Sequence, residues 1–298
     1  MRGKTFFDRL QQLVVIEVLG LVQRPVPTTS RKPAVSVVQW DQRGAGKTLD
    51  ATGPAIADTM SVDHMAQDGI DLSEYLKNHL HKDKIIILGH SWGSVLGVEM
   101  IRRRPDLFYA YVGTGQVADN AGKHEVGARI QPREGARRRR EESSQRITGN
   151  WLTALPQHGA IPDPLQMAAH DETPSDCEAA TVSLAKLIFG APNFTLRDNS
   201  YRAEGFLSVS NKHLMPEVLT LNRSSLGTDF QLPMFFFQGS DDAVTLASLA
   251  KAYFDQINAP HKKYVAMPGG HFAVWSYPDK LLKELDARVR PLVTQSSR

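Results

Sequence analysis

The sequence predicts an α/β protein: a mostly parallel sheet with helices on both faces, interrupted by one long insertion and then completed. Three observations predict it. Short apolar, β-branched runs alternate with helical patterns from Val35 to Val112, the alternation stops between residues 116 and 230, and it resumes at Leu232. Alternating strands and helices are what a parallel sheet produces, because each crossover lays a helix over the sheet. The core is therefore expected in residues 1–115 and 231–298, with 116–230 as an insertion.

The bulk properties suit that plan. A chain of 298 residues can hold one large domain with an insertion, and 41% hydrophobic against 22% charged residues is ordinary for a globular protein. The net charge of +3 is small for this length and demands no acidic partner. One cysteine, Cys177, excludes an intrachain disulfide and sits in a polar stretch as an incidental thiol. The longest apolar run, Leu13 to Val22, contains Glu17 and is well short of the ~20 residues a spanning helix needs. Asp8, Arg9 and Glu17 also argue against a signal peptide. The expectation is a cytoplasmic protein without membrane or nucleic-acid partners, whose oligomeric state the sequence does not disclose.

The elements follow in order. Leu13 to Val22 reads equally as a strand or part of a buried helix, since periodicity cannot separate the two in so short a run. Pro25, Pro27 and Pro33 mark an irregular connection. Val35 to Trp40 is a buried-strand pattern that ends in the turn-forming Asp41 to Gly46. Ser61 is placed to cap a helix running to about His79, with Met65, Leu72, Leu76 and Leu80 on one face. Lys84 to Leu88 is a second buried strand, Val95 to Arg104 a helix stopped by Pro105, and Leu107 to Val112 a third strand. After the insertion come the strand Leu232 to Gln238, a helix from Leu246 to Gln256, the strand Lys263 to Met267, and a helix from Asp279 to Val289.

Gly89-His90-Ser91-Trp92-Gly93 lies between a predicted buried strand and a predicted helix. In that context Gly-x-Ser-x-Gly is a sharp turn that lifts a serine hydroxyl above the sheet, with the following N–H at a helix start pointing to where an oxyanion would form. Ser91 is the candidate nucleophile and the Trp92 N–H the candidate oxyanion donor. A serine needs a base, and the base an orienting acid. The next strand ends in Gly239-Ser240-Asp241-Asp242, and the last in Pro268-Gly269-Gly270-His271. Asp and His thus follow Ser in the order Ser, acid, His that this turn accompanies. The candidate catalytic set is Ser91, Asp242 and His271.

Other signals carry less. Gly44-Ala45-Gly46-Lys47-Thr48 suggests a phosphate loop, but the position that needs glycine holds Asp41, whose carboxylate would repel phosphate. The run Arg137 to Arg140 has no interleaved aromatics and adjoins Glu141 and Glu142, as a solvated face does. His79 and His81 have no partners at ligand spacing, so neither a metal nor any other cofactor is expected.

These motifs resemble the proline iminopeptidases and related serine aminopeptidases of the α/β-hydrolase fold. Val37 to Gly46 looks like that family's strand followed by D-Q-R-G-x-G, Gly89 to Ser94 resembles its G-x-S-W-G-S elbow, Gly239 to Asp242 resembles its G-x-x-D acid turn, and Gly270-His271 its final G-H. The acid turn selects Asp242 over Asp241. The resemblance covers residues 35 to 115 and 190 to 293, and implies a helical cap and release of an N-terminal residue, often proline, from a peptide or amide. Two departures stand out. Residues 1 to 34 contain no H-G-G-P-G, the family's second oxyanion donor, so its N-terminal strands look incomplete. Arg197 to Tyr201 does not match the family's E-N-H-Y-F-like segment that holds the substrate amine, although Glu204 is nearby. Either another N–H completes the hole, or the start is not authentic, or activity is lost. The expected activity is amide or ester hydrolysis through an acyl-enzyme on a small substrate. A general carboxylesterase or lactonase, and a catalytically impaired binding protein of the same fold, are the alternatives.

Overall fold

A computed structural model describes residues 13–18, 35–119 and 211–295. Within them six strands form one sheet in the order β2-β1-β3-β4-β5-β6, where β1 is Leu13–Val18, β2 Val35–Gln39, β3 Ile85–His90, β4 Phe108–Thr114, β5 Met234–Gly239 and β6 Lys262–Met267. Every pairing between these strands is parallel. Of the run Leu13 to Val22, which periodicity left open between strand and helix, Leu13–Val18 is a strand, held inside the sheet between β2 and β3, and residues 19–22 lie outside the described ones. An interior strand of a parallel sheet is apolar almost throughout, which accounts for the run.

The core divides by strand period. Ile85 and Ile87 of β3, Tyr111 of β4 and Met234 and Phe236 of β5 join one buried cluster, together with Met65, Val98 and Tyr253. Ile86, Leu88, Ala110, Val112, Phe235 and Phe237 join the other, with Val274, Leu285 and Val289. Alternate residues therefore pack on opposite faces, as strand geometry requires. The first face is covered by α2 (Val62–His79), α3 (Trp92–Arg103) and α6 (Ala247–Gln256). The second is covered by α7 (Ala273–Ser276), α8 (Pro278–Arg288) and α9 (Arg290–Gln295). Ser61 caps α2 as expected, its hydroxyl accepting from the His64 N–H at 3.1 Å.

Three boundaries differ from the sequence reading. The turn at Gly44 leads directly into a helix, α1 (Gly46–Thr52), which lacked an apolar stripe long enough to announce it. Helix α3 starts at Trp92 rather than Val95, because β3 continues to His90 and one residue makes the whole turn. Beyond the helix expected to end at Val289, which ends there, a further helix that the sequence reading did not include, α9, runs from Arg290 to Gln295. Of the expected cap, only residues 116–119 and 211–230 fall among the described ones; they include α4 (Asn211–Thr220) and α5 (Arg223–Leu226). Cys177, the arginine run 137–140, Arg197 to Tyr201 and Glu204 lie outside the described residues, as does the connection 19–34 between β1 and β2.

Candidate active site

Parallel strands deliver their C-terminal ends to one edge of the sheet, where open α/β folds bind ligands. Ser91 directly follows β3, Asp242 follows β5 and His271 follows β6. Ser91 has φ 51° and ψ −122°, a conformation that an L-residue rarely adopts. The turn is tight enough that a Cβ on Gly89 would stand 2.6 Å from Gly93 O and 2.8 Å from Ser94 Cα. The Ser91 N–H is tied to Thr114 O of the neighbouring strand at 3.0 Å, while the Ser91 carbonyl accepts from Ser94 N at 2.9 Å and Ser94 Oγ at 2.6 Å. Trp92 is the first residue of α3, so its N–H is among those that have no intrahelical carbonyl to meet.

Asp242 and His271 are brought together. His271 Nδ1 stands 3.0 Å from Asp242 Oδ2, and both residues are buried. The carboxylate meets four further donors: Val244 N (3.0 Å) and Thr245 N (2.8 Å) on Oδ1, and Gln238 Nε2 (2.7 Å) and Thr245 Oγ1 (2.7 Å) on Oδ2. Such a donor set suits an acceptor-only carboxylate. It also assigns the Nδ1 hydrogen of His271, because Asp242 can only accept there. Asp241, the neighbour that the acid turn rejected, lies exposed at the surface, with Ser240 Oγ 3.1 Å from its carboxylate.

Strand β4, which lies between β3 and β5, leaves the sheet against this pair. Gly115, the first residue after β4, has φ +48°, and a Cβ there would stand 2.8 Å from His271 Cε1 and 2.8 Å from His90 Cε1. Only glycine lets the strand leave the sheet at that angle with the imidazole so close. His90 packs its ring 4.7 Å from that of His271 and edge-on to Trp275 at 4.2 Å. Burial first, and the nearby His271 second, push His90 well below the usual imidazole range, against a hydrogen bond to the Thr114 backbone that pulls it up. His90 is therefore a neutral wall behind the candidate base.

The D-Q-R-G-A-G turn sits on the other side of the elbow. Gln42 Oε1 accepts from the Trp92 indole N–H at 3.0 Å. Arg43 grips Asp68 of α2 with two nitrogens at 2.8 and 2.7 Å, and donates to Thr59 Oγ1 at 2.8 Å. The Asp41 carboxylate accepts from Lys47 N at 3.0 Å, so the slot in which a phosphate loop would hold its anion contains the chain's own carboxylate. Among the described residues no group of three His, Cys, Asp or Glu could hold a metal ion. No described helix is long and apolar enough to cross a membrane.

Sequence reasoning missed Thr245, Gln238, Gln116, Gly115 and the wall made by His90. Gln238 did leave a signal, as the one polar side chain in the buried run Met234 to Gln238. A buried amide in such a place has to find partners.

Comparison with known proteins follows the same lines. The model of the alpha/beta hydrolase fold family matches residues 31–278. A protein of Bacillus subtilis (strain 168) named as a probable aminopeptidase is 29% identical over 234 residues, covering 77% of this chain and 71% of that protein. A probable proline iminopeptidase of Streptomyces coelicolor is 32% identical over 153 residues, 50% of this chain and 47% of that protein. Among solved structures, a proline iminopeptidase-related protein of Thermus thermophilus superposes with a TM-score of 0.55 at 16% identity, covering 96% of this chain and 91% of that one. At that identity the last similarity speaks for the fold alone.

Proposed function

The chain belongs to the alpha/beta hydrolase family, and on that premise we propose that it is a serine hydrolase that releases an N-terminal residue from a small peptide or amide. The observation that carries this reading is the Asp242–His271 pair, buried after β5 and β6 on the same sheet edge as the strained Ser91. The similarity to proteins named as aminopeptidases supports the substrate class.

In this mechanism Ser91 Oγ attacks the carbonyl carbon. His271 takes the hydroxyl proton on Nε2, since Nδ1 is engaged by Asp242. Asp242 fixes that tautomer and stabilises the imidazolium. The Trp92 N–H, at the start of α3, donates to the developing oxyanion. His271 then returns the proton to the leaving amine as the C–N bond breaks. Water, deprotonated by the same imidazole, attacks the acyl carbon; the bond to Ser91 Oγ breaks, the acid leaves, and His271 returns the proton to Ser91 Oγ. Neither a metal nor another cofactor takes part.

A fluorophosphonate probe tests the nucleophile. Labelling of the wild type, abolished in Ser91→Ala, is the expected result, and an unlabelled, well-folded wild type would sink the proposal. A panel of proline anilides and short acyl esters tests the substrate class. Turnover of the anilides is expected; turnover of esters alone would reject the aminopeptidase reading while keeping the hydrolase.

A further inference from the structure

Gln238 is wholly buried in β5, in a run otherwise made of Met234, Phe235, Phe236 and Phe237. Its Nε2 donates to Asp242 Oδ2 at 2.7 Å and to Thr245 O at 3.0 Å, and its Oε1 accepts from Gln116 N at 2.8 Å. These partners fix the amide orientation, because a flipped amide would set its oxygen against two acceptors and its nitrogen against a donor. The chain of bonds continues from there to the elbow. Gln116 Nε2 donates to Val117 O at 2.8 Å, Val117 N donates to Ser94 Oγ at 3.0 Å, and Ser94 Oγ donates to Ser91 O at 2.6 Å. Tyr111 OH donates to Gln116 Oε1 at 2.6 Å and braces it from β4.

The two oxygens of Asp242 are held differently. Oδ1 is anchored by N–H groups of its own loop, Val244 and Thr245. Oδ2, the oxygen that faces His271, is held by Thr245 Oγ1 and by Gln238, and only the latter belongs to the sheet. We infer that Gln238 is a positioning residue, which holds the Asp242 carboxylate in register with the Ser91 elbow through this buried chain of hydrogen bonds. The role rests on the serine-hydrolase reading above: it has meaning only if Asp242 orients a working base. Its consequence is that the acid, although it sits on a loop, is placed by the sheet, and the strand that places it is tied to the strand exit beside the nucleophile.

The test uses the full chain and the fluorophosphonate probe, reading the labelling rate of Ser91 against pH in parallel with the thermal midpoint. Gln238→Leu removes both the donor and the acceptor at similar size. In the folded protein the labelling rate should fall at least tenfold. The acid limb of its pH profile should also move to lower pH, because a carboxylate no longer held against Nδ1 stabilises the imidazolium less. Tyr253→Phe removes the hydroxyl of another wholly buried side chain, one that bonds Gly227 O away from the site, and should leave rate and profile unchanged. Gln238→Glu keeps the side-chain shape and the bond from Gln116 N, and serves if the leucine variant does not fold. It sets an oxygen against Asp242 Oδ2, and its profile should move by about a pH unit or more. A folded variant that labels within twofold of the wild type with a superimposable profile overturns the inference. A wild type that is not labelled overturns the hydrolase reading instead, so the two failures are distinct.

Discussion

Substituting Gly115 by alanine perturbs the candidate base without removing any polar group. The new Cβ would stand 2.8 Å from His271 Cε1 and 3.0 Å from His271 Nδ1, and 2.8 Å from His90 Cε1. Carbon atoms rest at about 3.5–4.0 Å, so the rings must retreat by roughly 0.7 Å or more. His90 is backed by Trp275 at 4.2 Å and cannot yield. The movement therefore falls on His271, whose hydrogen bond to Asp242 is already 3.0 Å long. A misplacement of about 1 Å in a catalytic group costs on the order of a hundredfold in rate. Two stability costs add to this: about 1–2 kcal/mol for alanine at the observed φ of +48°, and about 1–3 kcal/mol for overpacking. Gly115→Ala should thus fold with a lowered denaturation midpoint and, under conditions where it is fully folded, label with fluorophosphonate about a hundredfold more slowly. A folded variant that labels within about threefold of the wild type would refute the packing argument.

The same site makes a prediction about pH. His90 is held neutral in the fold well below its usual 6.5, so between these two values the unfolded chain binds a proton that the folded one does not. Stability then rises with pH through that window, and falls below about pH 6.5 by up to ~1.4 kcal/mol per unit from this group. Denaturant unfolding at pH 7 and pH 5 should show this loss, and His90→Gln should show a shallower one; equal slopes would remove His90 as the cause. Farther out, the forked contact of Arg43 with Asp68 ties the D-Q-R-G turn to α2 at 25% and 32% side-chain exposure. Arg43→Ala should cost about 1 kcal/mol, and Arg43→Lys should restore less than half, because an ammonium cannot match both oxygens at once. Urea midpoints of the three proteins measure this, and full rescue by lysine would show that charge alone suffices.

Much of this molecule was legible before its structure. Val35 to Trp40 stood out by its β-branched valines, and Lys84 to Leu88 because an interior parallel strand, here packed into both clusters, is almost continuously apolar. Ser91, Asp242 and His271 could be singled out as candidates because each stands in a glycine-bearing turn after a strand. Leu13 to Val18 was ambiguous for the same reason that made the others clear: a short run that is apolar but for Glu17 fits a buried strand or a helix, and only the neighbours β2 and β3 decide. The start of α3 at Trp92 was hidden because the Gly89–Gly93 motif read as a turn of several residues, whereas Ser91 alone makes the turn between β3 and α3. The network through Gln238, Gln116 and Ser94 was invisible because its links, such as the 122-residue separation of Gln116 and Gln238, have no local signature.

The bonds that fasten Gln116 and Val117 also bear on how such a chain can diverge. Having left the sheet at Gly115, the polypeptide is bolted at Val117 to Ser94 and, through Gln116, to Gln238. It returns with Thr228 O accepting from Asn258 N at 2.8 Å and Phe230 N donating to Asn258 O at 2.9 Å, before β5 begins. Departure and return are thus two separate fixtures, each secured to the hydrolase body by its own contacts. Whatever sequence is strung between them inherits a finished mount, so changes in its length or chemistry need not disturb either fixture.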